Sequence, residues 1–228
     1  MASQGDVRPD EVERALKLAY LYGERDRTRK LLDDLLTLSG HLDDRKMEVS
    51  ALLQVAADMV HKSLWIREVT IGLRSPSDGL YRYEVMSGLR DDAWKAHADI
   101  HYTYEEFNDQ NAFKGRWISE RTKLFLAEDR PYLDGEDETF NRPILLEARR
   151  RSVDDCIEGD YLDTHILDEK GELIGWIEIS GTRDGKFPDG NAIRWIEVIA
   201  TMLGIVLKRV LDKGNRHPLK GLKTSRAR

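Results

Sequence analysis

Apolar and polar residues alternate through two segments in the last third of the chain, YLDTHIL and LIGWIEI. A two-residue period is that of a half-buried strand. Between them DEKG supplies a tight turn, with Gly171 suited to a left-handed backbone, so residues 161–179 read as a β-hairpin. Gly175, inside the second strand, marks a place where a neighbouring backbone or ring comes close. The period then changes. Ile193, Ile196, Ile199, Ala200, Leu203, Val206, Leu207 and Val210 recur every three or four residues, which predicts a helix from 189 to 212 with a wide apolar stripe.

At the other end, Pro9 followed by Asp10 and Glu11 has the character of a helix start, and DEVERALKLAYLY continues it towards Gly23. From Glu24 to Lys62 there is no proline. Leu31, Leu35, Leu38 and Leu42 alternate steps of four and three, the spacing of a coiled-coil seam. Val49, Leu52, Ala56 and Met59 resume it after Gly40 and Arg45, so two helices or one bent helix are expected. We read the leucine stripe as a dimerisation seam against a second chain. The alternative is packing on the chain's own domain.

After Trp65 the texture becomes strand, turn, strand in REVTIGLRSPSDGLYRYEVMSGL, with SPSDG as the turn. DDAWKAH predicts a short helix with Asp91 as its N-cap. From 100 to 151 the periodicity is poor. Strands are expected near HYTYEEF, GRWIS and TKLFLA, and a short helix near ILLEARRR.

Composition sets limits on these elements. The chain has 228 residues, 40% apolar and 34% charged, enough for one core under a heavily charged surface. It has no run of about 18 apolar residues, so no membrane span is expected. Its N-terminal residues lack a basic stretch followed by an apolar one, so no secretory leader is expected either. A single cysteine, Cys156, excludes an internal disulfide and makes a reducing, cytoplasmic setting the expectation. The segment from Lys213 to Arg228 carries six basic residues and no acid, which leaves −12 for the rest of a chain whose total is −6. The acidic body argues against nucleic-acid binding except through that tail.

The order of elements now resembles GAF domains. GELIGWIEIS is similar to their late glycine-bearing strand. WIEVIATMLGIVLKR resembles their closing helix, and SALLQVAADMVHKSLWIREVTIGL resembles their opening helix and first strand. The resemblance implies an α+β fold. Its central antiparallel sheet would have five or six strands, with the first and last helices packed on one face and N-terminal helices preceding them. It implies a helical extension over 1–45, a GAF-like domain over 46–211 and a basic tail over 212–228. It implies a non-enzymatic sensory or regulatory module: a homodimer that binds a small molecule in a pocket and signals through its helices to a partner protein. A ligand-free interaction scaffold on the same fold, and an enzyme of unfamiliar type, are the rival readings.

The residues narrow the chemistry. NDQNAFKGRWISE departs from the asparagine, phenylalanine and acidic pattern of cyclic-nucleotide-binding members. Bilin carriers use a cysteine followed by histidine, whereas Ile157 follows Cys156, and Asp154, Asp155 and Glu158 would raise its thiol pKa. Methionine sulfoxide reduction needs two cysteines. His97 and His101, four apart, would share a helix face and could contact a metal or haem, with Glu105 as a further ligand. HYTYEEF alternates like a strand, which would end that helix before His101. Among the many aromatics of the middle segment, Arg116, Trp117, Glu120 and Arg121, with His165 from the hairpin, are the candidate ligand contacts: apolar walls with a few fixed polar groups. No cofactor is identified by the sequence.

Overall fold

The computed structural model describes residues 7–22, 35–40, 48–109, 111, 113–130 and 136–214. Helix α1 (Pro9–Tyr22) opens the chain. Its proline sits where the missing N–H costs nothing, and Glu11 accepts from the backbone N–H of Arg8 at 3.1 Å. A helical stretch over 35–40 follows, then α2 (Val49–Ser63). The sheet begins with β1 (Val69–Arg74) and β2 (Tyr81–Ser87), which the sequence reads as strand, turn, strand. Helix α3 (Asp91–Asp99) comes next, with Arg90 rather than Asp91 at the N-cap and Asp91 and Asp92 in its first turn, so it starts one position earlier than the sequence suggests. The middle segment supplies β3 (His101–Tyr102), the one-turn helix α4 (Tyr104–Phe107), β4 (Arg116–Trp117) and β5 (Thr122–Phe125). The predicted hairpin is β6 (Tyr161–Leu167) and β7 (Leu173–Ile179), and α5 (Gly190–Gly214) closes the fold.

Seven strands form one sheet in the order β3-β2-β1-β7-β6-β5-β4. Every neighbouring pair is antiparallel. The count exceeds the expected five or six because β3 and β4 are two-residue edge strands. Alternation sorts side chains to two faces. Ile71, Leu124, Leu162, Ile166, Ile177 and Ile179 face α2 and α5 and join Leu53, Ala57, Val60, Ile193, Ile196 and Leu203 in one core. Each such fully buried aliphatic side chain contributes about 1.5–3 kcal/mol. The helices pack on this face as the GAF resemblance implies.

Leu38 is 0% exposed and lies in this core, and Leu35 packs partly against it. Leu38 is therefore occupied within its own chain. Leu31 and Leu42 lie outside the described residues, as do residues 215–228 of the basic segment. By length and composition alone α5 is apolar enough over Gly190–Lys208 to cross a membrane. Its apolar stripe is covered instead by the sheet and α2, with Ile193, Ile196, Ala200, Leu203 and Leu207 buried.

Two sequence expectations fail for identifiable reasons. HYTYEEF is a strand only over two residues. Thr103 then caps α4: its hydroxyl accepts from the Glu106 N–H, and Glu106 accepts from the Thr103 N–H, a capping box. ILLEARRR forms only a 3-10 turn over Pro143–Leu145. Ion pairs outweigh helix propensity there. Glu158 accepts from Arg142 through its backbone N–H at 2.7 Å and its guanidinium at 2.9 Å, and Arg150 turns inward to Glu128 and Asp160.

Helix α5 lies close to the hairpin at Gly204, where an added Cβ would stand 2.2 Å from the carbonyl oxygen of Leu167. In an open helix Gly→Ala stabilises by about 1 kcal/mol. Here the methyl meets backbone that cannot swing aside. Gly204→Ala should therefore destabilise by about 1–3 kcal/mol in urea denaturation. A rise in stability would show that the helix can back away from the sheet.

Candidate functional site

The face of the sheet turned away from the helical layer carries aromatic and acidic side chains. Thr70 and Gly72 of β1, Tyr81 and Tyr83 of β2, Lys123 and Phe125 of β5, Tyr161, Asp163 and His165 of β6, and Trp176 and Glu178 of β7 share it by register. Trp176 centres an aromatic cluster, with Phe107 at 4.9 Å, Tyr83 at 5.0 Å and Tyr81 at 6.3 Å between ring centroids. Phe107 and Phe113 come from α4 and the segment after it, and they cover this face.

Within the cluster the register sets Asp163 directly opposite Glu178, and Lys123 opposite Asp163. Glu178 is well held. It accepts from the Tyr83 hydroxyl at 2.9 Å and from Thr70 at 3.3 Å, and His97 Nε2 stands 3.9 Å away. Asp163 is not. It is 6% exposed, and its Oδ1 has no hydrogen-bond partner. Lys123 turns its ammonium over the Trp117 ring, 4.6 Å from the centroid. Burial and the neighbouring Glu178 push the Asp163 carboxyl well above the usual carboxylate range. Burial likewise raises the hydroxyls of Tyr83, Tyr102 and Tyr161, and Tyr102 donates to Glu136 at 2.6 Å.

Two small cavities lie on this face. One, of about 20 Å³, is lined by Tyr83, Tyr102, Phe107, Phe113, Phe125, Tyr161, Asp163, Trp176 and Glu178. The second, of about 30 Å³, lies towards α3 and the 3-10 turns, among Glu68, Thr70, His97, Thr139 and Glu158. Tyr161 and Glu178 line both.

The residues singled out from sequence divide between this face and others. His165 is buried here, 5.2 Å from the Trp117 ring and 6.1 Å from that of Phe107. Trp117 is 44% exposed at the edge strand. Arg116 is ion-paired with Asp129 and Glu13, which ties β4 to α1. Glu120 and Arg121 line an open groove of about 820 Å³ with Lys17, Arg194 and Glu197, beside α5 rather than under the aromatic cover. His97 is buried on α3, with Nδ1 2.9 Å from the carbonyl oxygen of Ala93, whereas His101 is exposed on β3. The helix that would have paired them ends at Asp99. Among the described residues no three His, Cys, Asp or Glu side chains are grouped to hold a metal ion. Cys156 is buried, and its thiol is pushed well above the ordinary range chiefly by burial and then by Asp160, not by Asp154, Asp155 and Glu158. Sequence reading missed Asp163, Trp176 and Glu178. Their signal was present: once the hairpin is drawn, they fall on the same face as Tyr161 and His165.

No protein-family model matches the chain, and no curated protein matches its sequence. Solved structures share its fold. The GAF domain from a phosphoenolpyruvate-protein phosphotransferase of Coxiella burnetii matches with a TM-score of 0.55 at 14% identity, covering 84% of this chain and 99% of that one. The GAF domain of an Acinetobacter phosphoenolpyruvate-protein phosphotransferase matches with a TM-score of 0.53 at 10% identity, covering 83% and 97%. A GAF domain/HD domain protein from Geobacter sulfurreducens gives 0.51 at 12% identity, covering 77% and 98%. The chain has a GAF-like fold.

His165 supplies a test of the buried face. Burial, followed by the charges of Lys123 and Arg121, lowers its pKa to about 4. An unfolded histidine titrates near 6.5. Between those values the unfolded chain binds more protons, so stability is full above about pH 6.5 and falls as the pH drops towards 4. The loss should amount to about 2–3 kcal/mol. His165→Leu removes this group, and its urea midpoint should fall less steeply than wild type over the same pH range. Parallel curves would show that His165 is protonated without penalty.

Proposed function

We propose that this chain, on a fold shared with GAF domains, is a non-enzymatic sensory or regulatory module. Its aromatic face takes a small ligand, and its helical layer passes the response to a second copy and to a partner protein. The carrying observation is the cavity beside Asp163, which holds an unpartnered buried acceptor under a cover built from short elements. Buried polar groups without partners are rare enough in folded proteins to point to a bound species. The buried, high-pKa Cys156 offers no nucleophile, which supports binding over catalysis.

A route from the cavity to the helices supports the signalling part. Thr122 and Thr164 adjoin Lys123 and the cavity residue Asp163 on their strands but face the opposite layer. Their hydroxyls are 3.0 Å apart, and Thr122 donates at 3.0 Å to Glu197 of α5. From α2, Asp58 reaches the sheet and accepts from Ser87 of β2 at 3.0 Å. The outer surface of the helical layer exposes Leu18, Leu36, Val198 and Ile205. Val198 and Ile205 are two turns apart on α5, a spacing that suits pairing with a second chain. A ligand-free interaction scaffold is the second reading, favoured by how nearly the rings fill the cavity.

Two measurements test the proposal. A thermal-shift screen of small neutral, anionic and cationic metabolites should yield at least one compound that raises Tm, because a ligand that binds only the folded state stabilises it. Light scattering should give a dimer, and Val198→Glu with Ile205→Glu should give a folded monomer. No stabilising compound would leave the scaffold reading, and a wild-type monomer would remove the dimer.

A further inference from the structure

The cavity beside Asp163 combines three properties. It has room for one particle of water size, since about 20 Å³ is open to a water-sized sphere. Its walls are mostly aromatic residues, whose ring faces attract cations and not anions. Its charged groups are two carboxylates set opposite each other, Asp163 and Glu178, and one of them has a buried oxygen without a partner, while the Tyr83 and Tyr102 hydroxyls of the same lining donate to Glu178 and Glu136. An anion would face both carboxylates. A metal ion would seek a shell of oxygens that rings do not supply, whereas an ammonium group can donate to a few acceptors and turn its remaining N–H bonds to π faces.

We infer that this cavity is a site for an ammonium group, free ammonium or the head of a small primary amine, held between the carboxylates of Asp163 and Glu178 and the rings of Trp176 and Phe107. The inference rests on the small-ligand reading above and names the chemical class of that ligand. The ammonium of Lys123, opposite Asp163 on β5, does not fill the place, because it lies over the Trp117 ring.

The surroundings of the pair add a second signature. Asp163 is faced by Lys123 from β5, Glu178 from β7, Tyr83 from β2 and Tyr102 from β3, with Glu136 behind Tyr102 and Tyr161 and His165 on its own strand; His97 of α3 stands at Glu178. Burial and Glu178 push the Asp163 carboxyl well above its usual range. A cation between the two carboxylates pulls it back down, so any proton that Asp163 holds leaves to buffer as the ammonium group enters.

The test uses the full chain at pH 7.5, with ammonium chloride and methylamine hydrochloride compared with sodium and potassium chloride at equal ionic strength. Methanol serves as a neutral probe of similar size, and tetramethylammonium as a cation too large to enter. At ten times Kd, ammonium or methylammonium should raise Tm by about 3–5 °C over sodium chloride. A response to ammonium and not methylammonium assigns free ammonium; a response to both admits an amine head. Asp163→Asn, which keeps the shape and removes the charge, should abolish the shift, and Lys123→Met should retain it. Should Asp163→Asn not fold, calorimetry of wild type in two buffers of different ionisation enthalpy should show proton release on binding. Equal shifts from all four salts overturn the inference, as does a larger shift from tetramethylammonium. Equal shifts from methanol and methylammonium overturn the cation while leaving a small-ligand cavity. A neutral or anionic hit in the metabolite screen, with no ammonium response, likewise removes this inference and spares the broader reading.

Discussion

The indole of Trp176 occupies the space that a side chain on residue 72 would need. A Cβ built on Gly72 would lie 2.1 Å from the ring, inside its van der Waals envelope. Register sets residue 72 beside residue 176 across the β1–β7 pair, so the absence of a side chain on one strand is the condition for the ring on the other. Laid over the sheet, the ring reaches Tyr81, Tyr83, Tyr102 and Phe107 from three other elements. Aromatic pairs contribute about 0.5–1.5 kcal/mol each beyond their buried area. The cover therefore docks on a surface that one glycine makes possible, and the cavity is what remains between that ring and the acids next to it.

The two faces of the sheet are built on opposite principles. The helical face is aliphatic and carries the stabilising burial. The other face holds Asp163, His165 and Lys123 out of water with Glu178 partly buried beside them, and the first three are displaced from their ordinary titration range by burial. Like charges directly opposite on neighbouring strands destabilise a sheet. An apolar pair at 163 and 178 would pack without that cost. Stability surrendered at one place, in a fold that is locally consistent elsewhere, is the pattern of a site. It differs from the ion pairs of Arg150 with Glu128 and Asp160, where each buried charge has a partner and the arrangement joins two loops.

How much of this could be read from the letters depends on the range of the interaction involved. The hairpin and the closing helix announced themselves because their periods run for seven or more residues. The one-turn helix α4 was hidden by an accidental alternation in HYTYEEF, although Thr103 and Glu106 stand at capping-box spacing. The missing helix at ILLEARRR could not have been foreseen, since what unmakes it is the long-range hold of Glu158 on Arg142 and of Glu128 and Asp160 on Arg150. The same applies to the arginines proposed as ligand contacts. Nothing local shows that Arg116 is taken by Asp129 and Glu13. His165 was placed on the aromatic face by strand alternation alone. The opposition of Asp163 and Glu178 needed one step more, the register of the hairpin across its turn.

That register also bears on how the proposed binding and signalling would share one sheet. Neighbouring residues on a strand belong to different layers, so no strand can shift on one face alone. Asp163 looks into the cavity, and the next residue, Thr164, is bonded to Thr122 and through it to Glu197 of α5. Glu178 looks into the cavity, while Ile177 and Ile179 on either side of it are buried against the helical core. Close packing leaves that core little freedom to absorb a displacement by compression. A displacement of either strand would therefore be passed on to α5, and the close contact of Gly204 with the Leu167 carbonyl sits at the end of β6, where such a displacement would be felt first.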